Sequence, residues 1–358
     1  MNDRLTNLRK VIQHLNADGA LIWKLINVRY FAGFTGTTGV CLVTPNKALF
    51  ITDSRYTVQA QQQVVPYGFE VVTIRDRNRE IADLVHELGL NSLAFEDQVM
   101  TVAEHYEYAR LLADVDLVPV GGRFEEIRWY KSADEIAKIR NAVRVQEEAM
   151  EAVLPLIVPG AVESDIAFQL EMEMRKRGAS GPSFDTIVGS GPRGAMPHGV
   201  ASDKVIQAGE LVVLDWGCIV DGYCSDQTLT VSVGEPSDPD AKKVFEIVRQ
   251  AQAASIEATA AGVAMVDIDK AGRDLIGAAG YGHTFGHGTG HALGLEIHEE
   301  PRANTVSKAT AQPGIVFTVE PGIYLEGRFG VRLEDIIHVT SSGYELLTTM
   351  HKNWRSTL

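Results

Sequence analysis

The sequence predicts an α/β domain at the N-terminus followed by a larger α+β domain. Three observations carry that prediction. The chain has 358 residues, and roughly 100–200 residues per domain makes two domains the expectation. Short apolar runs alternate with helical segments as far as Gly121 and Gly122. Beyond that pair, longer amphipathic segments are interleaved with apolar runs joined by turn signals. The division is placed at 1–123 and 124–358.

In the first domain, residues 20–23, 40–43, 48–51, 69–73, 92–95 and 117–120 have strand composition, and 55–63, 80–88 and 103–112 have helical spacing. That alternation indicates a mixed α/β sheet. In the second, Ser132 and Glu135 form Ser-x-x-Glu, a capping box opening a helix with Ile136, Ile139, Val143 and Met150 on its apolar side. Pro159 and Gly160 break the chain. A helix over 164–177 follows, with Ile166, Leu170 and Met174 at i, i+4 spacing and Gly178 as its stop. Two further helices are expected from Asp238 to near Gly262 and over 265–279. Strands are expected at 186–188, 211–216, 228–233, 315–319 and 331–339.

Composition narrows the function. Lys and Arg number 33 against 47 Asp and Glu, a net charge of −14 that repels a phosphate backbone and argues against nucleic acid as a partner. Three cysteines, Cys41, Cys218 and Cys224, form no ligand spacing and no disulfide framework, which points to a reducing compartment. MNDRLTNLRK lacks the apolar stretch of a secretory signal, and no run reaches the roughly 18–20 apolar residues of a membrane helix. A soluble, cytoplasmic protein with no membrane partner is expected.

Four carboxylates stand where apolar strands should exclude them. Asp215 lies inside Leu211-Val-Val-Leu-Asp-Trp-Gly, and burying an unpaired carboxylate costs several kcal/mol, so it must be paired, protonated or metal-bound. Asp226 lies eleven residues on, at the head of the next strand, and Asp221-Gly222 between them is a hairpin signal. Folding there sets the two acids roughly opposite each other on one face. Either alone is consistent with a turn cap or an ion pair. Together they repel unless a divalent cation lies between them. Glu320 closes the apolar run from Ile315, and Glu334 lies in Val331-Arg-Leu-Glu-Asp-Ile-Ile. Such an oxygen-rich set suits Mn²⁺ or a similar hard ion.

Four of the ten histidines, His283, His287, His291 and His298, fall in one short glycine-rich segment. His287 and His291 have the i, i+4 spacing of a helical zinc pair, but Gly286, Gly288 and Gly290 oppose a helix and no Glu follows His287. A loop or strand is expected instead, giving one histidine to a metal and leaving others for substrate. Gly189-Ser-Gly-Pro-Arg-Gly matches GxGxxG, yet Pro192 and Pro197 prevent the helix such a motif requires. It is read as a loop leading to His198.

With these residues in view, the sequence resembles the aminopeptidase P/prolidase/methionine aminopeptidase family, the pita-bread metallopeptidases. Asp215, Asp226, His291, Glu320 and Glu334 match the family's Asp-Asp-His-Glu-Glu dimetal set in order and spacing. Asn27-Val-Arg-Tyr-Phe-Ala-Gly-Phe-Thr-Gly and Ile51-Thr-Asp-Ser-Arg-Tyr are similar to the N-terminal domain of Xaa-Pro aminopeptidases, so the likeness spans nearly the whole chain. It implies a creatinase-like α/β N-terminal domain plus an α+β pita-bread catalytic domain.

The resemblance also implies the site. Two divalent ions per chain are expected, Mn²⁺ first, with Co²⁺ or Zn²⁺ as other candidates. Asp215 would serve one ion and His291 and Glu320 the other, with Asp226 and Glu334 bridging. His198, His287 and His298 look like the family's substrate-side histidines, Arg332 matches an arginine of the supporting network, and Tyr324 occupies the Glu-Pro-Gly-x-Tyr position. The implied reaction is hydrolysis of an Xaa-Pro bond in a small peptide with proline at the second position, by hydroxide shared between the metals. Glu320 would shuttle the proton, and His287 and His298 would donate to the oxyanion or the substrate backbone, while His198, His298 and Tyr324 would contact substrate. Strict dipeptidase and aminopeptidase readings both stand, as does a non-catalytic pita-bread interaction module. The resemblance favours a homodimer.

Overall fold

The computed structural model describes residues 3–358, in two compact units divided between Arg128 and Trp129. In the first, strands β1 (Gly19–Ile22), β2 (Val40–Val43), β3 (Ala48–Thr52), β4 (Glu70–Thr73), β5 (Ser92–Phe95) and β6 (Asp116–Pro119) form one sheet in the order β4-β3-β2-β1-β5-β6. The β1–β2 and β2–β3 pairs are antiparallel and the others parallel. Helices are α1 (Asp3–His14), α2 (Leu25–Ala32), α3 (Thr57–Gln63), α4 (Arg77–Glu87), α5 (Val102–Leu111) and the short α6 (Arg123–Glu126). Ile81, Ala82 and Val85 of α4 and Tyr108 of α5 share one core with Leu21, Val40, Leu42 and Leu93 of the sheet. Apolar area removed from water, at about 25 cal/mol per Å², is what holds such a layer down.

Three helices here were not expected: α1, α2 and the short α6. Leu5, Leu8 and Ile12 give α1 a buried stripe, a signal legible in the sequence. Helix α2 depends on a distant residue. The buried carboxylate of Glu96 accepts the backbone N–H groups of Trp23 and Lys24 at 2.5 and 2.7 Å, satisfying donors at the helix entry. Gly33 closes α2 in the left-handed region at φ 74°, as a helix stop requires.

The second unit opens on α7 (Ala133–Val153), where Ser132 Oγ accepts from Glu135 N and Glu135 Oε2 accepts from Ser132 N, the anticipated reciprocal cap. Helices α8 (Glu163–Lys176), α9 (Ala241–Glu257) and α10 (Met265–Ala278) follow. Strands β8 (Ile187–Ser190), β9 (Leu211–Trp216) and β12 (Gln227–Ser232) form one sheet in the order β12-β9-β8, and β7 (Gly181–Pro182), β10 (Cys218–Val220) and β11 (Tyr223–Cys224) a small second one. A third has the order β14-β13-β15-β18-β19, from β13 (Gly290–Ala292), β14 (Glu299–Ala303), β15 (Val316–Val319), β18 (Asp335–Thr340) and β19 (Gly343–Leu346). The pair β16 (Gly322–Leu325) and β17 (Phe329–Arg332) completes the set.

Two expectations are corrected. The single strand foreseen over 331–339 is two: β17 pairs with β16, whereas β18 pairs with β15 and β19, and Leu333 and Glu334 carry the chain between sheets. Val331, Leu333, Ile336 and Ile337 are all fully buried, and the apolar–polar alternation of Val331-Arg-Leu-Glu slips phase at Glu334-Asp335, the one local cue to the change of partner. The helix foreseen from Asp238 to near Gly262 is α9, which ends at Glu257.

Candidate metal centre

Each of the five acid and histidine positions sits in a strand or at its end. The register pairs Asp215 with Thr228 across β9 and β12, and Ile219 with Cys224 across β10 and β11. Continued through the hairpin, that register sets Asp226 across from Gly217, one diagonal step from Asp215 on the same face rather than opposite it. The turn is the foreseen one, with Asp221 at φ 52° and Gly222 at φ 86°, the two positive values a type I′ turn demands. Gly217 is required for a different reason, because a Cβ there would lie 2.0 Å from the carbonyl oxygen of Ser225.

Two backbone bonds bring the remaining members to this face. Glu334 N donates to Thr228 O at 3.1 Å, joining the β17–β18 junction to β12, and Glu320 N donates to Thr289 O at 2.7 Å, joining the end of β15 to the histidine loop. His291 itself lies in β13, so the segment is a loop and strand, not a helix.

The side chains converge. Among the described residues, Asp226, His291 and Glu334 each offer a ligand atom within 4.8 Å of the others. His291 Nε2 lies 3.5 Å from Asp226 Oδ2 and 3.4 Å from Glu320 Oε1. His291 Nδ1 faces the carbonyl oxygen of Ala292 at 3.1 Å, which assigns the proton to Nδ1 and leaves the Nε2 lone pair toward the acids. Glu334 Oε2 accepts from Thr228 Oγ1 at 2.8 Å, and Glu320 Oε1 from Thr318 Oγ1 at 3.2 Å.

Arg332 ties the acids to the histidine loop. Buried to 3 % exposure, it donates to Asp215 Oδ2 at 2.5 Å, Tyr324 Oη at 2.9 Å, Thr228 Oγ1 at 3.1 Å and the carbonyl oxygen of Pro197 at 3.1 Å. Tyr324 Oη then donates to His287 Nε2 at 2.8 Å, while His287 Nδ1 faces Gly288 O at 2.8 Å. Both nitrogens of His287 are therefore engaged by protein.

A pocket of about 380 Å³ is lined by Asp215, Asp226, His291, Glu320, Glu334 and Arg332, and by His198, His287 and His298. Tyr324 stands behind that wall, and His283 is exposed outside it. A larger groove of about 890 Å³ between α7 and the C-terminal segment holds no such cluster. Its Arg144, Arg177 and Arg355 are paired with Glu148, Glu173 and Glu151.

The electrostatics are those of a cation site. Burial, then the charges of Glu334, Asp215 and Glu320, pushes Asp226 well above the usual carboxylate range, and burial with Glu320 and Asp215 does the same to Glu334. Glu320 is pushed up to about 8, chiefly by burial and in part by Asp215, against the pull of Arg332 and Thr318. Burial brings His291 down to about 3 and His287 to about 4, so both imidazoles are neutral near pH 7. Carboxylates that raise one another's pKa this way are relieved by a divalent cation. Asp215 Oδ1 and Glu334 Oε1 are buried without a hydrogen-bond partner among the described residues. Such orphaned acceptors normally cost free energy, and here they are free lone pairs for an ion. The donor set fits a hard divalent metal.

Sequence reasoning missed Thr228 and Thr318, which hold Glu334 and Glu320. Their signal was a hydroxyl recurring inside otherwise apolar strands. It also missed Phe184, Asp185, Arg302 and Asn304 of the pocket wall; of these only Arg302, four residues past His298, carried a local cue.

The comparison with known families agrees with this geometry. The family model of metallopeptidase family M24 matches residues 137–341. The chain belongs to that family. The Creatinase/Prolidase N-terminal domain matches residues 4–129, so this M24 protein has the creatinase-like domain ahead of a pita-bread domain that marks the aminopeptidase P/prolidase branch. An uncharacterized peptidase of Bacillus subtilis is 43% identical to the M24 chain, covering 96% of it and 97% of the relative. The Xaa-Pro dipeptidase of Pyrococcus furiosus is 34% identical over 97% of this chain and 98% of its own. Among solved structures, the Xaa-Pro dipeptidase from Bacillus anthracis superposes with a TM-score of 0.95 at 42% identity, covering 99% of each chain. An X-Pro aminopeptidase from Thermotoga maritima gives 0.90 at 38% identity, over 97% of this chain and 99% of that one. No helix among the described residues is long and apolar enough to cross a membrane.

Proposed function

We propose that this M24 peptidase hydrolyses the Xaa-Pro bond at the N-terminus of dipeptides or short peptides. The observation that carries the reading is one pocket holding four acids, of which Asp226, Glu320 and Glu334 have raised pKa values, a neutral His291 with a free Nε2, and His198 and His298 exposed along the same wall. Asp215, Asp226, His291, Glu320 and Glu334 would hold two divalent ions, Mn²⁺ being the first to test. When bound, such ions supply Lewis acidity toward a water and the substrate carbonyl.

The chain's own residues do the remaining work. Glu320 keeps 17% side-chain exposure at the pocket, where its carboxylate can take a proton from the attacking water and return it. We assign it the transfer to the leaving prolyl nitrogen. His298 lies against His291, ring centroids 4.4 Å apart, and is exposed to the pocket, where its N–H can donate to the developing oxyanion. His198, whose loop is held by the Arg332 bond to Pro197 O, would contact the substrate backbone. His287 and Tyr324 would act through Arg332, fixing the face on which Asp215 stands. An Xaa-Pro nitrogen has no N–H, so selection for proline rests on ring shape and on the absence of a donor.

Arg302 on the pocket wall supports a short substrate. A guanidinium there suits the free carboxylate of a dipeptide, and the relatives named above include both a dipeptidase and an aminopeptidase. Three free, buried cysteines fit a reducing, cytoplasmic compartment, and a homodimer completes the reading. The test is proline release from Ala-Pro and from an Xaa-Pro-Yaa peptide, with and without Mn²⁺. Protein that binds two ions per chain yet cleaves neither peptide would end the proposal, and light scattering of the same sample gives the oligomeric state.

A further inference from the structure

The glycine-rich loop that delivers His287 and His291 has little of its own to hold it. Gly286, Gly288 and Gly290 alternate with Phe285, His287 and Thr289, and glycine loses more backbone freedom on ordering than any other residue. Space explains only part of that composition. A Cβ at Gly290 would lie 1.8 Å from Thr318 O and one at Gly288 2.9 Å from Asn304, but one at Gly286 meets nothing within 4 Å.

Besides the bonds from Tyr324 and Glu320, a pair on helix α10 holds the loop. Asp269 and Arg273, four residues apart, form a two-pronged ion pair, with Nε to Oδ2 at 2.7 Å and Nη2 to Oδ1 at 2.8 Å. Neither group stops there. Arg273 Nη1 donates to Phe285 O at 3.1 Å and Nη2 to His287 O at 2.6 Å, with its guanidinium 4.1 Å from the centre of the Phe285 ring. Asp269 Oδ1 accepts from Thr289 N at 3.0 Å and Thr289 Oγ1 at 2.8 Å. The three non-glycine residues of the loop are thus each gripped by one pair, in which Asp269 is 1% exposed and Arg273 half-buried, and Thr289 is fully buried. Thr289 in turn accepts from Glu320 N through its carbonyl oxygen, so the grip reaches both a histidine and an acid of the pocket.

We propose that Asp269 and Arg273 are positioning residues, a clamp that sets the loop so that His291 and Glu320 present their ligand atoms together. Neither touches the pocket. Their part in metal binding rests on the assignment of His291 and Glu320 above, whereas their part in ordering the loop does not.

Arg273→Lys separates the clamp from simple stability. Lysine keeps a charge beside Asp269 but lacks the planar fork that reaches Phe285 O, His287 O and both carboxylate oxygens at once. Hydrogen exchange of metal-free protein followed by mass spectrometry should show faster exchange in peptides spanning 285–291, with α9 and β9 unchanged. Mn²⁺ titration should show affinity weakened about 10-fold or more. Asp269→Asn, which retains an acceptor for Thr289 but loses the ion pair, should fall between wild type and Arg273→Lys in both measurements. Unchanged exchange over 285–291 in folded Arg273→Lys would overturn the clamp. Faster exchange with unchanged Mn²⁺ affinity would overturn its link to the metal site. Absence of Xaa-Pro cleavage by the wild type would overturn the functional reading and leave the exchange result standing. Should Arg273→Lys fail to fold, Asp269→Asn decides by the same two readouts.

Discussion

Arg332 donates to one oxygen of Asp215 at 2.5 Å, and the other oxygen of that carboxylate is buried with no hydrogen-bond partner among the described residues. One side chain is therefore neutralised on one edge and held open on the other. That division lets Asp215 be oriented by the protein and still offer a lone pair inside the pocket.

Arg332→Lys should keep the charge but lose the simultaneous reach to Asp215, Tyr324, Thr228 and Pro197 O. A fall in kcat/KM of about 10–100-fold is expected, as for other residues that orient a ligand. Arg332→Met should further destabilise the metal-free protein by roughly 3–5 kcal/mol, because a buried carboxylate loses its partner. Urea unfolding and steady-state kinetics read the two effects. Wild-type kcat/KM for Arg332→Lys would show that Asp215 needs no orientation.

The acids and histidines predict opposite responses to pH, and a window separates them. Glu320, with its pKa raised from 4.5 to about 8, binds a proton more readily folded than unfolded, as Asp226 and Glu334 also do. Their contribution to stability therefore grows as pH falls through 8. His287 and His291, lowered from 6.5 to about 4 and about 3, protonate first in the unfolded chain, so their contribution is lost only below about 6.5. Metal-free protein should consequently gain stability between pH 8 and 6.5. Metal-saturated protein should not, since a cation replaces the protons. Thermal melts with and without chelator across that range give the answer, and equal slopes would contradict a shared acidic site.

His291→Ala and His298→Ala should differ in kind. The first removes a lone pair aimed at the acids, and elemental analysis should find fewer than two ions per chain. The second removes a pocket donor, so two ions should remain while kcat falls by about 10²–10³, the usual loss for one oxyanion donor. Loss of metal in both variants would assign His298 to the ion instead.

Arg302→Met probes substrate length. If its guanidinium takes a free carboxylate, the loss of one charge-assisted contact, about 1.5–3 kcal/mol, raises KM for Ala-Pro by roughly 10–100-fold. KM for an Xaa-Pro-Yaa peptide, whose carboxylate lies one residue further on, should change little. Equal effects on both peptides would remove Arg302 from end recognition.

Much of this was legible in the residue string. The capping box at Ser132 and Glu135 and the turn at Asp221 and Gly222 formed as read, because each depends on groups a few residues apart. Four acids in apolar strands marked the site because burial of an unpaired charge is costly wherever it occurs. Helix α2 was not legible, since the carboxylate that satisfies its entry comes from Glu96, more than seventy residues on. The break at Leu333 and Glu334 showed in the sequence only as a slip of the alternation at Glu334-Asp335, and both faces there are buried, since Arg332, Glu334 and Asp335 lie inside with their apolar neighbours.

The sequence by itself determined that four acids stand in apolar strands, that a glycine-rich segment gathers the histidines, and that His291 could not share a helix with His287. Local propensity, glycine placement and charge in an apolar run are enough for that. Only the tertiary structure decided how those residues face each other: the diagonal of Asp215 and Asp226, the reach of Arg332 across 117 residues to Asp215, and the grip of Asp269 and Arg273 on the histidine loop. Those relations join separate strands and helices, and their geometry is fixed by how the layers pack, a property no short window of sequence contains.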